Sequence, residues 1–551
     1  MAGIGGVAAA VVAADLASGS GSGGQHKIPA QARRPEPPSS EVVHEKVASG
    51  VVVPRARWLI EENAKPGTLD WVVTGVQTPH AIEGYASQVS AQPGDDLIVF
   101  VNTVAPAFHV EAYRMGYYKG LGGRLVAQTD SVKATAQAQP TFTSGVNMIE
   151  CPWSPSITIK VTKDWPPGNY LLKLVGDGTG QAFAPQQYVP LCVRDDASTA
   201  AYVLQNSVTT WQAYNLWSNY SLYYGATSSG GSDYADRSRV VSFDRPYPQN
   251  WAQGAADFFG NEFPLLYQME SLGLDMTYWT DVDLHVRPQL LAKHRCLFSL
   301  GHDEYWSTPM RSGAQSALSR GTNLAFLGAN ACYRQIRMED SPVGANRRQV
   351  CYKDSTEDPL TGVNNALVTV NWESPPVNQP ENTLIGSMYQ SVGSNADMIV
   401  TDGSHWVFDG CNLSDGEHLS LVVQGEYDRY VPAMQGSPTN LDVLAHSPIT
   451  NQGNSNWSDL TYYSVKGGGG VIASGSAAFV NKLSNTTAFP SNIVPAAIPG
   501  VTDVLLRAME NVYGTFGNGP ASASQPSGAN WSSIYTGSSA SAGSATGTNA
   551  A

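Results

Sequence analysis

The spacing of apolar residues changes part-way along this chain of 551 residues. Between about 56 and 195, short apolar runs alternate with turns rich in Gly and Pro, as where the turn at 93–96 leads into the run at 97–101. Strands at this spacing, with no helical stretch between them, predict an antiparallel β-sandwich of the immunoglobulin-like type.

From residue 200 onward, apolar runs alternate with stretches of helical period, one of which runs from Phe263 to Leu272 and ends at Gly273. This alternation predicts βαβ units and a doubly wound parallel sheet with helices on both faces. The runs expected to form the sheet are 201–204, 276–279, 295–300, 323–327, 419–423 and 471–474.

Composition divides the chain into four parts. Residues 1–55, an apolar stretch followed by Gly, Ser and Pro, are predicted to be a mostly disordered leader and linker. The β-sandwich is assigned to 56–196 and the α/β domain, which would carry the site, to 197–514. The Ser-, Gly- and Ala-rich residues 515–551 are predicted to be a disordered tail.

The first apolar segment, at 4–17, resembles the core of an export signal, although no basic residue precedes it. Export to the cell exterior is therefore one prediction, and a cytoplasmic location is the alternative. The segment is too short to span a bilayer, so no integral membrane span is expected.

Charge and cysteine content narrow the function classes. The net charge is −14 and only 14% of residues are charged, which argues against a nucleic-acid partner because phosphate binding needs clustered Lys and Arg. The six cysteines form no CxxC pair, so neither a zinc knuckle nor a dense disulfide framework is indicated, although a structural bridge stays open.

The strongest candidate for chemistry follows the apolar run that ends at Gly301. There His302, Asp303, Glu304 and Tyr305 stand in succession, and a Ser-Thr-Pro sequence then predicts a helix start. The carboxyl ends of parallel strands are where ligands bind in open α/β sheets, so this strand-to-helix turn is predicted to be a site. The structural alternative is that Asp303 and Glu304 only cap the helix while Tyr305 and Trp306 pack.

Two further strands deliver oxygen ligands at their ends, Tyr333 after the run at 323–327 and Glu426 after the run at 419–423. If these strands are neighbours, Tyr305, Tyr333 and Glu426 converge on one crevice. Phenolate and carboxylate are hard oxygen ligands, which suit ferric iron better than zinc. Tyr352 competes with Tyr333 as the second tyrosine ligand. The structural alternative to a metal site is that these tyrosines lie in the core with hydrogen-bonded hydroxyls, which is the commoner case.

A class I glutaminase is disfavoured, because the turn at Gly301 contains no cysteine. Cys332 lies at another strand end, but its neighbours Ala331 and Tyr333 are not the glycines of a nucleophile elbow.

These residues resemble the large-subunit family of N,N-dimethylformamidase and its bacterial relatives. The resemblance covers about 56–500 and rests on the motifs AYRMGYY (112–118), QNSVTTWQAYN (205–215), SFDRPY (242–247), YWTDVDL (278–284), GHDEYW (301–306) and GAN (328–330). It implies a β-sandwich followed by a domain like the class I glutamine amidotransferases, without their cysteine. It also implies a mononuclear non-haem iron on two tyrosines and one glutamate, here mapped to Tyr305, Tyr333 and Glu426, and a small partner subunit. A homo-oligomer is the other assembly considered.

The first hypothesis is an iron-dependent hydrolase that cleaves the C–N bond of a small amide. The metal would activate water and polarise the amide oxygen, and His302, Glu304 or Asp303 would move the proton. Trp211, Tyr214, Asn215 and Asn330 are the candidate substrate-binding residues. Gln424 stands where the characterised enzyme has a histidine, which puts the substrate in question.

The second hypothesis is a non-catalytic exported protein that stacks a carbohydrate or apolar ligand on the aromatic residues between 211 and 224. A packed interdomain surface is the structural alternative for that stretch. A third hypothesis is a metal-free hydrolase that uses Asp303 or Glu304 together with another carboxyl group of raised pKa.

Overall fold

The computed structural model describes residues 41–180, 183–227, 230–451, 454–486, 489–490 and 493–535. The predicted export segment at 4–17 lies outside these residues, and so does the end of the predicted tail, 536–551. Within the described part of the chain, no helix is both long enough and apolar enough to cross a membrane.

The first region is built mainly of strands. Its elements are β1 (Val42–Lys46), β2 (Val52–Ala56), α1 (Arg57–Ala64), β3 (Ile82–Ala86), β4 (Ser90–Ala91), β5 (Asp96–Thr103), β6 (Ala107–Met115), β7 (Gly123–Gln128), β8 (Val132–Lys133), β9 (Thr141–Thr143), β10 (Met148–Glu150), β11 (Ile157–Lys160), β12 (Gly168–Asp177) and β13 (Gln186–Val193).

Two sheets of this region share one hydrophobic core. One sheet has the order β11-β5-β3, and the other has the order β4-β13-β12-β6-β7 with β8 paired to β6. All their pairings are antiparallel except β13 with β4. Val99 of the first sheet and Phe108 and Leu172 of the second lie in the common core. The predicted strand-rich region is present, and its immunoglobulin-like type stays a prediction.

The second region alternates strands and helices. Its elements are β14 (Tyr202–Asn206), α2 (Val208–Tyr214), β15 (Gly225–Ala226), β16 (Ser232–Asp233), β17 (Val240–Ser242), α3 (Phe258–Asn261), α4 (Phe263–Ser271), β18 (Met276–Thr280), α5 (Asp281–Val286), β19 (Cys296–Gly301), β20 (Tyr305–Ser307), α6 (Thr308–Ser319), β21 (Asn323–Gly328), β22 (Arg334–Glu339), β23 (Arg348–Val350), α7 (Asn382–Ile385), β24 (Met388–Ile399), β25 (His418–Arg429), β26 (Leu441–Asn451), β27 (Asn454–Ser464), β28 (Gly470–Ala473), α8 (Val501–Asn518), α9 (Ala521–Ser524) and α10 (Trp531–Tyr535).

The central sheet of this region has the order β18-β14-β19-β21-β28-β27-β26. Its first five strands are parallel, and β27 and β26 are antiparallel. Leu266 of α4 and Phe516 of α8 pack in the same core as Phe298, while Met310 of α6 packs in a second core with Leu297. Helices therefore cover both faces, which explains why these strands read as continuous apolar runs. The closer likeness to glutamine amidotransferases stays a prediction.

Several predicted elements are wrong in detail. The run at 419–423 does not join the central sheet, because it lies in β25, which pairs with β24 in a sheet of two strands. The turn after Gly301 does not lead directly into a helix, since β20 intervenes before α6. Ser307 stands at the N-cap of α6 as predicted, but its hydroxyl contacts His285 Nδ1 at 2.7 Å.

Some residues assigned to the predicted leader and tail lie in regular elements of the described structure. Residues 42–56 form the paired strands β1 and β2, in which Val53 is fully buried. The tail expected from 515 begins inside α8, and buried apolar residues such as Phe516 and Tyr535 hold it to the protein. The domain boundary at 196 stays a prediction. All six cysteines are buried free thiols, so no disulfide is formed.

Candidate active site

Backbone pairing brings the loops after β19 and β21 together. The two strands are parallel neighbours in register, with Gly301 opposite Gly328. Beyond them, the amide of Tyr333 donates to the carbonyl of Glu304 at 3.0 Å, and β20 pairs with β22. Although β25 lies outside the central sheet, the amide of Ala477, which follows β28, donates to the Glu426 carbonyl at 3.0 Å. Glu426 therefore reaches the same end of the sheet.

Gly301 directs the chain into this site. Its φ of +55° lies in the left-handed region, and a Cβ at this position would lie 2.3 Å from Asn261 Cβ. No larger residue fits here without displacing α3, so His302 follows a turn that the backbone fixes.

The Glu304 carboxylate is the centre of the site and is only 1% exposed. Tyr214 and Tyr223 donate to its Oε2 at 3.0 and 2.8 Å, and Arg334 Nε donates to Oε1 at 3.3 Å. Burial by itself raises the pKa of Glu304, but His302 and the nearby cations outweigh it and hold the pKa below its usual value. Glu304 is therefore an anion at neutral pH.

His302 lies between two carboxylates. Its Nε2 is 2.8 Å from Glu426 Oε2 and 3.4 Å from Glu304 Oε2. The contact with Glu426 lacks hydrogen-bonding angles, so His302 Nε2 and Glu426 Oε2 are both buried without a hydrogen-bond partner among the described residues. Burial lowers the pKa of His302, but the two carboxylates outweigh burial and raise it well above its ordinary value. We call Tyr214, Tyr223, His302, Glu304 and Glu426 the Glu304 cluster.

Of the three predicted metal ligands, Glu426 belongs to this cluster, and Tyr305 and Tyr333 lie near it. The hydroxyl of Tyr305, which is fully buried, donates to the Tyr223 hydroxyl at 2.8 Å. The hydroxyl of Tyr333 accepts from Asn371 Nδ2 at 2.6 Å, and Asn371 in turn accepts from Arg334. Tyr305 thus contacts the Glu304 cluster directly through Tyr223, whereas Tyr333 is connected to Glu304 only through Asn371 and Arg334.

The competing tyrosine has no such link. Tyr352 is only partly buried, and its backbone contacts Thr369 and Arg237. Among the described residues no hydrogen bond joins its hydroxyl to the cluster. Of the two candidates, Tyr333 therefore has the closer connection to the site.

Asp303 faces in another direction. Its Oδ2 accepts from Ser299 Oγ at 2.7 Å and from Gln205 Nε2 at 2.9 Å, both on strands of the central sheet. Burial raises the pKa of Asp303 above its usual value. Within the described part of the protein, no hydrogen bond connects its side chain to the Glu304 cluster.

The substrate-binding candidates fall into two groups. Trp211 and Tyr214 line an open cleft beside His302. The Asn215 side chain instead donates to the Pro246 carbonyl at 2.9 Å, and the backbone N–H of Asn330 donates to Asp428 Oδ1 at 2.8 Å. These two contacts hold the backbone. Trp217, from the same aromatic stretch, packs on Trp153 in the first region, as the packed-surface alternative predicted.

Sequence reasoning missed Lys353, a lysine of the site whose amine is buried. Its Nζ lies 3.1 Å from the centroid of the Tyr223 ring and has no hydrogen-bond partner among the described residues. Burial, assisted by Arg334, lowers the pKa of Lys353 well below its ordinary value. Arg334 and Asn371 were missed as well. Of these three residues, only Arg334 could have been suspected from the sequence, because it directly follows the predicted ligand Tyr333.

No group of three or more His, Cys, Asp or Glu side chains in the described residues is arranged to hold a metal ion. This finding does not concern the metal site predicted from the sequence, because two of its three predicted ligands are tyrosine oxygens.

Buried acids, tyrosines and a histidine at the carboxyl ends of parallel strands, beside an open cleft, define an α/β protein with a candidate catalytic centre. Residues 109–491 match the family model described as N,N-dimethylformamidase beta subunit-like, C-terminal. The chain belongs to this family, which confirms the resemblance seen in the sequence and places the chain among dimethylformamidase-like hydrolases at the level of the family. No curated protein matches the chain.

Proposed function

We propose that this protein is a metal-dependent hydrolase that cleaves the C–N bond of linear amides. The observation that carries the proposal is the position of His302, which lies between the Glu304 and Glu426 carboxylates and also lines an open cleft. A substrate in the cleft would meet His302, and the Glu304 and Glu426 carboxylates lie directly behind this side chain.

The oxygen donors of the site fit a hard metal ion. The hydroxyls of Tyr214 and Tyr223 lie 2.7 Å apart, and both are within 3.0 Å of Glu304 Oε2. Glu426 Oε2 is buried and, although it lies 2.8 Å from His302 Nε2, it has no hydrogen-bond partner among the described residues, so this oxygen could bind a metal ion. Phenolate and carboxylate oxygens favour ferric iron over zinc.

Two donor sets can therefore be compared. One is the set implied by the resemblance, Tyr305, Tyr333 and Glu426. The other is Tyr214, Tyr223 and Glu304, whose oxygens are direct neighbours. An ion bound by either set would supply Lewis-acid chemistry, polarising the amide oxygen and lowering the pKa of a bound water.

The side chains of the Glu304 cluster would handle the protons. Hydrolysis adds the oxygen of water to the carbonyl carbon and breaks the C–N bond, so one proton must leave the water and one must reach the amine. A carboxylate, Glu304 or Glu426, would accept the first proton. The protonated His302 would donate the second to the leaving nitrogen, which departs as a neutral amine. Arg334 would offset the negative charge of the buried oxygens.

The competing function is a non-catalytic binding protein. The cleft lined by Trp211 and Tyr214 is compatible with it, because aromatic walls bind apolar or sugar ligands without any chemistry. The two functions differ in whether bound amide is converted into amine.

The direct test is release of amine from a series of linear amides after reconstitution with iron. We expect release by the wild-type protein and a loss of at least about 100-fold in kcat for Glu304→Gln, the range typical of a general acid or base. Glu61→Gln, which changes an exposed glutamate of α1, is the matched control and should retain full activity. Binding of amides without any amine release, with iron bound, would favour the binding protein instead.

A further inference from the structure

The cleft beside His302 has a volume of about 550 Å³. Its lining includes Trp211, Tyr214, Trp251, Asp257, Asn261 and His302. We call it the His302 cleft. Cavities of about 300–1,000 Å³ are the size that holds drug-sized ligands.

This volume exceeds what a minimal amide needs. If each non-hydrogen atom takes about 30 Å³, as a water molecule does in the liquid, an amide with about five such atoms fills roughly 150 Å³. The cleft then has room for a further group several times larger than the amide itself.

The walls of the cleft are aromatic and held in place. Trp211 and Trp251 each meet Tyr247 edge-on, with centroid distances of 6.4 and 6.0 Å. Tyr214 stacks on Tyr223 with centroids 4.4 Å apart. Trp211 is only 3% exposed and supports the wall from behind, whereas Trp251 and Tyr214 are partly exposed. These two rings offer a flat apolar group a surface that loses little conformational entropy on binding.

One side of the cleft carries a carboxylate. Asp257 is half-buried, and its Oδ2 accepts from Asn261 Nδ2 at 2.7 Å. Among the residues that line the cleft, only His302 can carry a positive charge, and no described side chain donates to Asp257 Oδ1. This oxygen is therefore available to a hydrogen-bond donor or a cation of the ligand.

We infer that the His302 cleft selects amides that carry a flat apolar group and a donor or cationic nitrogen, with the apolar group against Trp251 and Tyr214 and the nitrogen on Asp257. This inference rests on the proposed function, because it takes the amide end of the ligand to face His302. It assigns the protein a larger substrate than a dialkylformamide.

Three probes with the same dimethylamide group separate the contributions: N,N-dimethylformamide, N,N-dimethylbenzamide and para-aminomethyl-N,N-dimethylbenzamide. We expect the aromatic ring to tighten binding at least about 10-fold and the ammonium group to tighten it further by a similar factor, as measured by titration calorimetry on the full chain. Asp257→Asn should remove the second gain and leave the first. Trp251→Ala should reduce the first gain, and Trp251→Phe should restore part of it.

Matched controls are Asp130→Asn and Phe142→Ala, which change exposed residues outside the cleft lining and should preserve both gains. Equal affinity for all three probes would overturn the inference. Dimethylamine release from all three at equal kcat/KM, together with equal affinity, would overturn it while upholding the hydrolase. The predicted order of affinity without any dimethylamine release would uphold the cleft's selectivity and refute the hydrolase.

Discussion

The ion pair between Arg114 of β6 and Glu270 of α4 gives the sharpest prediction about stability. Both side chains are 0% exposed, and the guanidinium binds both carboxylate oxygens, at 2.9 and 2.8 Å. Burial by itself lowers the pKa of Arg114, but the Glu270 carboxylate raises it well above its usual value. Glu270→Gln would therefore remove the carboxylate that the buried guanidinium binds directly and leave only Glu62, which is linked to it through Tyr118.

Removing one partner of a buried ion pair costs about 3–5 kcal/mol, because the remaining charge stays desolvated. We expect this loss for Glu270→Gln in urea unfolding followed by both fluorescence and circular dichroism. The exposed pair of Arg57 and Glu41, whose side chains are 58% and 64% exposed, is the control. Glu41→Gln should cost no more than about 1 kcal/mol. A loss below about 1 kcal/mol for Glu270→Gln would refute the reasoning.

Two further predictions concern single residues near the site. Burial raises the pKa of Glu381 to about 8, so the folded protein holds a proton that the unfolded chain releases above about 4.5. The free energy of unfolding should therefore lose a contribution of up to about 5 kcal/mol from Glu381 as the pH rises from about 4.5 to about 8. Glu381→Gln should remove this contribution in urea titrations at several pH values, while Asp303 and Asp428, whose pKa values burial raises to about 6 and about 7, sustain a smaller fall in the same range. An equal pH dependence of both proteins would contradict this. Gly301→Ala should lower stability by more than the 1–2 kcal/mol that a left-handed backbone costs, because its Cβ would also meet Asn261. Gly50→Ala has a φ of +88° and open space around it, so its thermal unfolding isolates the backbone cost, and equal losses for the two variants would exclude the clash.

The central sheet could be predicted from the sequence because its strands are buried on both faces. The runs at 276–279, 295–300 and 323–327 became β18, β19 and β21. The run at 419–423 has the same appearance, but it lies in a separate pair of strands. An apolar run indicates burial, and it contains no information about which neighbour a strand will take.

The candidate site was predictable only in part, for a related reason. Glu304 and His302 are adjacent to a strand end, so their position follows from local pattern. Tyr223 and Lys353 reach the same point from about 80 and 50 positions away in the chain, through packing that no short motif describes. The AYRMGYY motif, in turn, proved to hold the buried Arg114, a structural role that its resemblance alone did not indicate.

The most direct test of the account is the iron content of the purified protein together with its visible absorption spectrum. If the protein is a metal-dependent hydrolase, we expect near-stoichiometric iron and a phenolate-to-iron absorption band. Tyr305→Phe and Tyr333→Phe should weaken the band if the ligands are those of the resemblance, and Tyr223→Phe should do so if the oxygens around Glu304 bind the metal. Tyr352→Phe is the control and should leave it unchanged. A protein that binds no metal after reconstitution, yet folds normally, would contradict the metal-dependent hydrolase.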